Sequence, residues 1–508
     1  MANPRRPNCG QNEFLAFVGL RNLFDLSWPI PKTDEFPLLL AVNMSPRETF
    51  YCVIVTIWAM TAHVFAAGEA RQPNFVIIFC DDLGYGDLAC FGHPTIATPN
   101  LDRMAAEGMK FTQFYAAAPV CTPSRAALMT GRLPLRNGMC SNQRRVLFPD
   151  SKGGLPAEEI TIAESLQANG YATACVGKWH LGHLPQYLPT SNGFDRYFGI
   201  PYSNDMDRVN DAPKGREPFW SPSIRYWNVP LMRGEQIIER PADQATITRR
   251  YTEEATNFIR EHKDTPFFLY LPHSMPHVPL FRSPEFEGKS RRGLFGDVIE
   301  EIDWSVGRVL DTLRELEIDD NTLVFFTSDN GPWLIFDEQG GSAGLLRDGK
   351  GSTWEGGMRE PTLAWWPGQI KPGSISRDVA STMDIFATIH ARAGIDLPVD
   401  RVLDSHDLTP VLRGEGPSSR EVLFYYRAYD LMAVRKGPWK MHLMTQDAYG
   451  PGAREPKKHD PPLLFNLEHD PGERFDVAAQ NGEILKSLQA DVAAHQAALD
   501  PAPSQLEL

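Results

Sequence analysis

The chain of 508 residues is 42% hydrophobic and 22% charged, an ordinary balance for a soluble globular protein, and it is too long for one small core. Its formal net charge of −14 leaves no basic surplus to neutralise phosphates and argues against nucleic acid as a main partner. A small anionic substrate stays compatible with it, because a few buried cations can dominate a local field.

Near the start, Tyr51 to Ala67 is an apolar run behind Arg47, followed by the small residues Gly68 and Ala70. That is the layout of a secretory signal peptide. Such a peptide begins close to the initiator, and Met44 opens a plausible short n-region. Residues 44–70 are therefore expected to be the signal peptide, with residues 1–43 upstream of the true start. The rival reading is a single membrane anchor, for which the run is slightly short.

From Asn74 the chain is continuously apolar through Phe75-Val76-Ile77-Ile78-Phe79-Cys80, the pattern of a buried parallel strand, and ends in Asp81-Asp82-Leu83-Gly84. In open α/β sheets ligand sites lie outside the carboxyl ends of strands, and paired carboxylates there make a cation site or a costly repulsion. Alone, the dipeptide is more often a solvated turn. Next, Asn100 to Gly108 reads as an amphipathic helix closed by glycine. Cys121-Thr122-Pro123-Ser124-Arg125 then opens a helix, with Thr122 as its cap, Pro123 in its first turn and Gly131 at its end. Cys121 stands where free N–H groups favour an anion, and Arg125 adds a forked cation one turn on. The plain reading of these residues is a buried cysteine beside a capped helix.

Glu158 to Gly170 reads as another helix. Tyr171 to Val176 is a strand leading into Gly177-Lys178-Trp179-His180. The stretch from Asp205 to Gln244 is polar and proline-containing, with Phe219, Trp220, Tyr226 and Trp227. It is read as an excursion over a site mouth, where these aromatics either stack on a sugar or aryl ring or simply pack inward. A helix over Tyr251 to Lys263 precedes the strand Pro266 to Leu271, which leads into Pro272-His273-Ser274-Met275-Pro276-His277. Thr322 to Thr327 is a further buried strand, ending in Ser328-Asp329-Asn330-Gly331. If the two acidic strands are neighbours, their ends form an all-oxygen shell suited to Ca²⁺ or Mg²⁺ rather than zinc. Four strand ends carrying acids, Lys and His at one edge read as an active site.

The glycine-rich stretch after Asn330 lacks the order of a P-loop but can place Lys350 on a tight loop near the acidic strand. Val379 to Gly394 reads as a helix, and Ser405 to Gly414 closes a large domain spanning residues 71–415. From residue 416 to 508 the texture changes to short strands, Val422 to Tyr426, Leu431 to Val434, Trp439 to Leu443 and Leu463 to Leu467. With a final helix from Gly482 to Leu499, they form a small antiparallel domain.

The motifs Asp81 to Asp87 (DDLGYGD), Cys121 to Arg132, Gly177 to Gly182 (GKWHLG), Gly349 to Glu360 (GKGSTWEGGMRE) and Asp470 to Glu473 (DPGE) resemble those of the type I sulfatases. Within that family the branch most resembled is that of arylsulfatase A and N-acetylgalactosamine-6-sulfatase. The resemblance implies an alkaline-phosphatase-like large α/β domain with a central mixed sheet, plus a smaller C-terminal domain with an antiparallel sheet and helix. It implies Asp81, Asp82, Asp329 and Asn330 as Ca²⁺ ligands, together with Cys121 oxidised to formylglycine by a modifying enzyme. Arg125, Lys178, His180, His277 and Lys350 fall on its sulfate-contacting and proton-transfer positions, and Ser203 matches a substrate-rim position. In the implied reaction a hydrated formylglycine attacks sulfur, and His277 or Lys350 protonates the leaving alcohol. His180 then takes the proton of the second hydroxyl and sulfate is eliminated.

The region after His442, Thr445 to Gly450, lacks the substrate-rim histidine of arylsulfatase A, which speaks against a sulfated sphingolipid and leaves sulfated sugars and aryl sulfates. Two other readings are a phosphate or phosphonate ester hydrolase, which would favour a second metal, and an inactive relative that binds sulfated glycans. With Cys121 modified and Cys9 and Cys52 removed, Cys80, Cys90, Cys140 and Cys175 allow three pairings. No asparagine after residue 70 stands in an Asn-x-Ser/Thr context, which favours a bacterial periplasmic or secreted protein.

Overall fold

A strand that is apolar at every position must be covered on both faces. In the computed structural model, which describes residues 71–450 and 454–508, that strand is β1 (Asn74–Cys80), buried throughout. Val76, Ile78 and Cys80 enter one core, and Phe75, Ile77 and Phe79 enter another on the opposite face. Each such large side chain contributes about 1.5–3 kcal/mol of burial. The expected signal peptide and start at Met44 lie outside the described residues.

Beside β1 run β2 (Ala172–Val176), β3 (Phe267–Pro272) and β4 (Thr322–Ser328). These are the strands expected from their apolar runs, shifted by no more than one residue. They lie parallel in the order β4-β1-β3-β2, in the middle of an eleven-stranded mixed sheet. All four carboxyl ends therefore open on one edge. On one side Arg359–Trp365 pairs antiparallel with β4, and on the other Arg196–Gly199 continues the parallel group beside β2 before the sheet turns antiparallel.

Helices cover both faces. Pro99–Glu107, Ile247–Glu261 and α2 (Leu294–Glu315) pack on the first core, while α1 (Cys121–Thr130), Ile162–Ala168 and Asp384–Ala393 pack on the second. The helix expected from Glu158 begins only at Ile162, because Thr161 and Glu164 form a capping box there. That expected from Val379 begins at Asp384, because Ala380–Ser381 is used as a strand.

The C-terminal region forms the expected antiparallel sheet, β5 (Val422–Arg427), β6 (Asp430–Lys436), β7 (Trp439–Thr445) and β8 (Lys457–Asn466) in that order. Helix α3 (Gly482–Ala497) places Leu488 and Val492 in its core. Of the cysteines, Cys80, Cys90, Cys121, Cys140 and Cys175 are all free thiols, so no pairing forms among the described residues. Cys80 and Cys175 point to opposite faces of the sheet and Cys140 lies in a third core, which keeps them apart. No helix of the described residues is long and apolar enough to cross a membrane.

Candidate active site

β1 and β4 pair in register up to Cys80 opposite Ser328, so Asp81-Asp82 and Asp329-Asn330 leave the sheet side by side. Asp82 turns at once into the left-handed region (φ 64°), a conformation that costs about 1–3 kcal/mol in a non-glycine residue. Its N–H donates to Asp329 Oδ1 (3.2 Å), and Asn330 Nδ2 donates to Asp82 Oδ1 (2.7 Å). All four side chains are buried, yet Asp81 Oδ1 and Asn330 Oδ1 have no hydrogen-bond partner. Burial and the neighbouring Asp81 push the Asp329 carboxyl up to about 7, against the pull of Arg125. Ligand atoms of Asp81, Cys121 and Asp329 lie within 4.8 Å of one another. Orphaned hard oxygens among crowded carboxyls fit a divalent cation of the Ca²⁺ or Mg²⁺ kind.

Helix α1 begins at Cys121 itself, and no side chain caps it. Thr122, expected as the cap, lies inside the first turn; its hydroxyl donates to the His180 carbonyl (3.0 Å) and accepts from Leu147 N–H (3.2 Å). The end of α1 is thus left uncapped, while its Gly131 terminus is left-handed as expected (φ 66°). Cys121 is buried, and burial pushes its thiol up despite Lys178 and Lys350. As it stands it is a neutral thiol rather than an activated nucleophile.

Three cations surround it. Arg125 donates from Nε and Nη2 to Asp329 Oδ2 (3.0 and 2.7 Å). Lys178 Nζ is ion-paired to Asp81 and bonded to Ser203 Oγ (3.1 Å). Lys350 Nζ donates to Asp82 Oδ2 (2.8 Å) over the ring of Trp333; burial opposes its charge, but Asp82 holds the ammonium above its usual range. Such fixed charges in a dry site act far more strongly than in water.

The two site histidines are set by their backbone bonds. His180 Nε2 faces the Leu147 carbonyl (2.9 Å), which can only accept, so Nε2 carries the hydrogen and the partnerless Nδ1 keeps a free lone pair. Burial first, then Lys178, hold this ring well below its usual range and neutral. His277 Nδ1 meets the Val278 carbonyl (2.6 Å) and its Nε2 faces Asp82 (3.6 Å); burial and Lys350 bring it down to about 4. His273 belongs elsewhere, against Ser305 of α2 (3.3 Å).

The sequence-expected residues Asp81, Asp82, Cys121, Arg125, Lys178, His180, Ser203, His277, Asp329, Asn330 and Lys350 thus come together in one place. Above Cys121 is a well of about 210 Å³ whose walls include Arg145, Asp205, Arg208, Trp333 and Tyr449. Of the long excursion, only its first residues reach the well. Phe219, Trp220 and Trp227 pack inward, Phe219 at 4.9 Å from Phe336 and 5.1 Å from Trp227. Sequence reasoning missed Arg145 and Tyr449, which sit in aperiodic loops. Trp333, just beyond Asn330-Gly331-Pro332, carried a signal in its position.

The loop bearing Lys350 is fastened to the C-terminal domain. The Glu355 N–H donates to Glu473 Oε2 (2.6 Å), and Lys440 bridges Glu355 (2.9 Å) and Glu473 (3.0 Å). His442 bonds Glu473 (2.7 Å) and Tyr115 O–H donates to Glu355 (2.7 Å), all buried. The sequence motifs at Gly349 to Glu360 and Asp470 to Glu473 meet at this junction.

Residues 73–395 match the sulfatase family model, and residues 418–508 match that of the C-terminal region of aryl-sulfatase. The chain belongs to the sulfatase family. Human arylsulfatase A is 43% identical over 86% of this chain and 91% of its own length. The N-acetylgalactosamine-6-sulfatase of Canis lupus familiaris is 42% identical over 87% of this chain and 89% of its own. Ps i-CgsB, solved in complex with k-i-k-neocarrahexaose, superposes with a TM-score of 0.71 at 31% identity, covering 84% of this sulfatase and 92% of that chain. The chain is accordingly a sulfuric ester hydrolase, which sets aside both the phosphate-ester and the inactive readings.

Proposed function

We propose that this sulfatase cleaves sulfate esters of sugars, using Cys121 oxidised to formylglycine beside a Ca²⁺ ion. The observation that carries the reading is the position of Cys121: at an uncapped helix start, against Asp81 and Asp329, and ringed by Arg125, Lys178 and Lys350. Asp81, Asp82, Asp329 and Asn330 are the residues that would hold Ca²⁺, which supplies Lewis-acid polarisation of sulfate oxygens. Cys121 is the residue that would carry the formylglycine, whose hydrate would supply the paired hydroxyls needed for attack on sulfur and for sulfate release.

The rest is the work of the surrounding side chains. Arg125, Lys178 and Lys350 supply a preorganised positive field for the non-bridging oxygens. Ser203 and the Asp81 carboxylate together hold the Lys178 ammonium. His180 offers Nδ1 as the proton acceptor in the well, already neutral and in the right tautomer. The two candidates for protonating the leaving oxygen, Lys350 and His277, both face the Asp82 carboxylate at the edge of the well. A sugar substrate is supported by the names of the N-acetylgalactosamine-6-sulfatase relative and of the carrahexaose complex. The apolar run Tyr51 to Ala67 supports export to a periplasm or the medium, and the thiol at Cys121 requires a formylglycine-generating partner.

The test is sulfate release from sulfated sugars and an aryl sulfate, before and after chelation. Chelation is expected to remove activity by about 10³-fold, since metal polarisation is worth several kcal/mol, and added Ca²⁺ to restore it. Full turnover in excess chelator would contradict the metal assignment.

A further inference from the structure

The catalytic well does not end at its rim. It shares Val120, Arg145, Phe148 and Tyr449 with a second, wider cleft of about 720 Å³ running between the large domain and the C-terminal sheet. The well alone is smaller than the roughly 300–1,000 Å³ of an ordinary small-molecule site, whereas the cleft falls within that range. A substrate larger than the sulfated end itself must leave the well past the shared wall.

That wall carries an unusual charge arrangement. The guanidinium of Arg145 lies 5.1 Å from the centre of the Tyr449 ring, and that of Arg427, at the end of β5, lies 4.6 Å from the same ring. Neither arginine forms an ion pair with a carboxylate among the described residues, although Arg144 next door is taken up by Asp150 (2.7 Å). Arg427 has a single hydrogen bond, to the Asp447 carbonyl (3.3 Å), and Arg145 is exposed. Asp430 and Glu455 also border the cleft without pairing to either arginine. Two forked cations with most of their N–H groups unspent, in a protein of net charge −14, form a local anion site rather than part of a general basic surface.

The platform between them is rigid. Tyr449 N–H donates to the Lys350 carbonyl (3.2 Å), and the Tyr449 ring packs directly on Gly351 (φ 89°), where an added Cβ would meet it at 2.2 Å. Asn142, Gln143 and Gln446 line the remaining walls with amides suited to sugar hydroxyls.

We propose that this cleft is a second, anion-binding subsite that takes a sulfate or carboxylate on the sugar unit adjoining the one desulfated, with Arg145 and Arg427 as the anion ligands and Tyr449 as the ring platform. It rests on the sulfated-sugar reading above and sharpens it: the favoured substrate is an oligosaccharide with a second negative charge. The experiment measures sulfate release from three disaccharides that carry the same sulfated N-acetylhexosamine next to a neutral, a sulfated or a uronate neighbour. An aryl sulfate serves as the control, and wild type is compared with Arg427→Gln. One or both anionic neighbours should raise kcat/KM about tenfold over the neutral one through a lower KM, and which of them does so identifies the anion. Arg427→Gln should remove that gain and leave aryl sulfate turnover unchanged. Equal kcat/KM on all three, or an anion preference that survives Arg427→Gln, overturns the subsite and leaves the sugar reading standing. Aryl sulfate turnover with release from none of the disaccharides overturns both.

Discussion

Two of the buried charge clusters among the described residues, the domain junction and the catalytic well, are built to opposite specifications. At the domain junction, Glu355 and Glu473 are matched by Lys440, Arg359 and the Tyr115 hydroxyl, and every carboxylate oxygen has a partner. In the catalytic well, Asp81, Asp82 and Asp329 face Arg125, Lys178 and Lys350, yet Asp81 Oδ1, Asn330 Oδ1 and His180 Nδ1 are left without one. The same residue types thus do two jobs. Carboxylates satisfied at every oxygen hold a domain and a loop in place, whereas carboxyl and amide oxygens left unspent beside a reactive side chain mark where something else is meant to bind.

The sharpest way to break this contrast is to remove the reacting side chain of the well. Cys121→Ala should abolish sulfate release, while its melting temperature stays within about 2 °C of wild type, since one small side chain at an open helix end is lost. A variant that keeps wild-type turnover would end the assignment. The junction should behave in the reverse way. Lys440→Met leaves Glu355 and Glu473 buried without their shared cation, at an expected cost of about 3–5 kcal/mol in denaturant unfolding, while the folded fraction keeps most of its kcat. A loss of kcat without loss of stability would place Lys440 with the chemistry instead.

A smaller effect separates the clusters by pH. Burial opposes ionisation of Glu355, but Lys440 and Arg359 outweigh it and bring its carboxyl down to about 2 from 4.5. The folded value lies below the unfolded one, so this contribution is present above about pH 4.5 and is lost as pH falls towards 2. It amounts to on the order of 3 kcal/mol. Urea midpoints at pH 5 and pH 2.5 should differ less in Glu355→Gln than in wild type; identical slopes would remove Glu355 from the account.

The readable parts of this protein were those where one local rule suffices. Phe75 to Cys80 and Thr322 to Thr327 announce buried strands because both faces are covered, and the acids at their ends come together because the strands pair in register. Helix α2 was not expected at all, although it is 22 residues long. Its buried face carries Asp297, Glu301 and Asp303, which accept from the backbone of Ser290, Ser283 and Leu101, and these acids interrupt the apolar stripe that would have signalled a helix. The strand Arg359–Trp365 was hidden by Pro361, which ordinarily demotes a strand. Thr122 has the chemistry of a cap, but its hydroxyl is claimed by His180 and Leu147. The Arg145, Tyr449 and Arg427 cluster was invisible for a different reason: its members come from three separate segments brought together only by the docking of the C-terminal sheet.

The most direct measurement is peptide mass spectrometry of the segment containing residue 121, on protein from its native host. The account predicts the aldehyde or its hydrate in place of the thiol. Unmodified cysteine throughout an active preparation would contradict it.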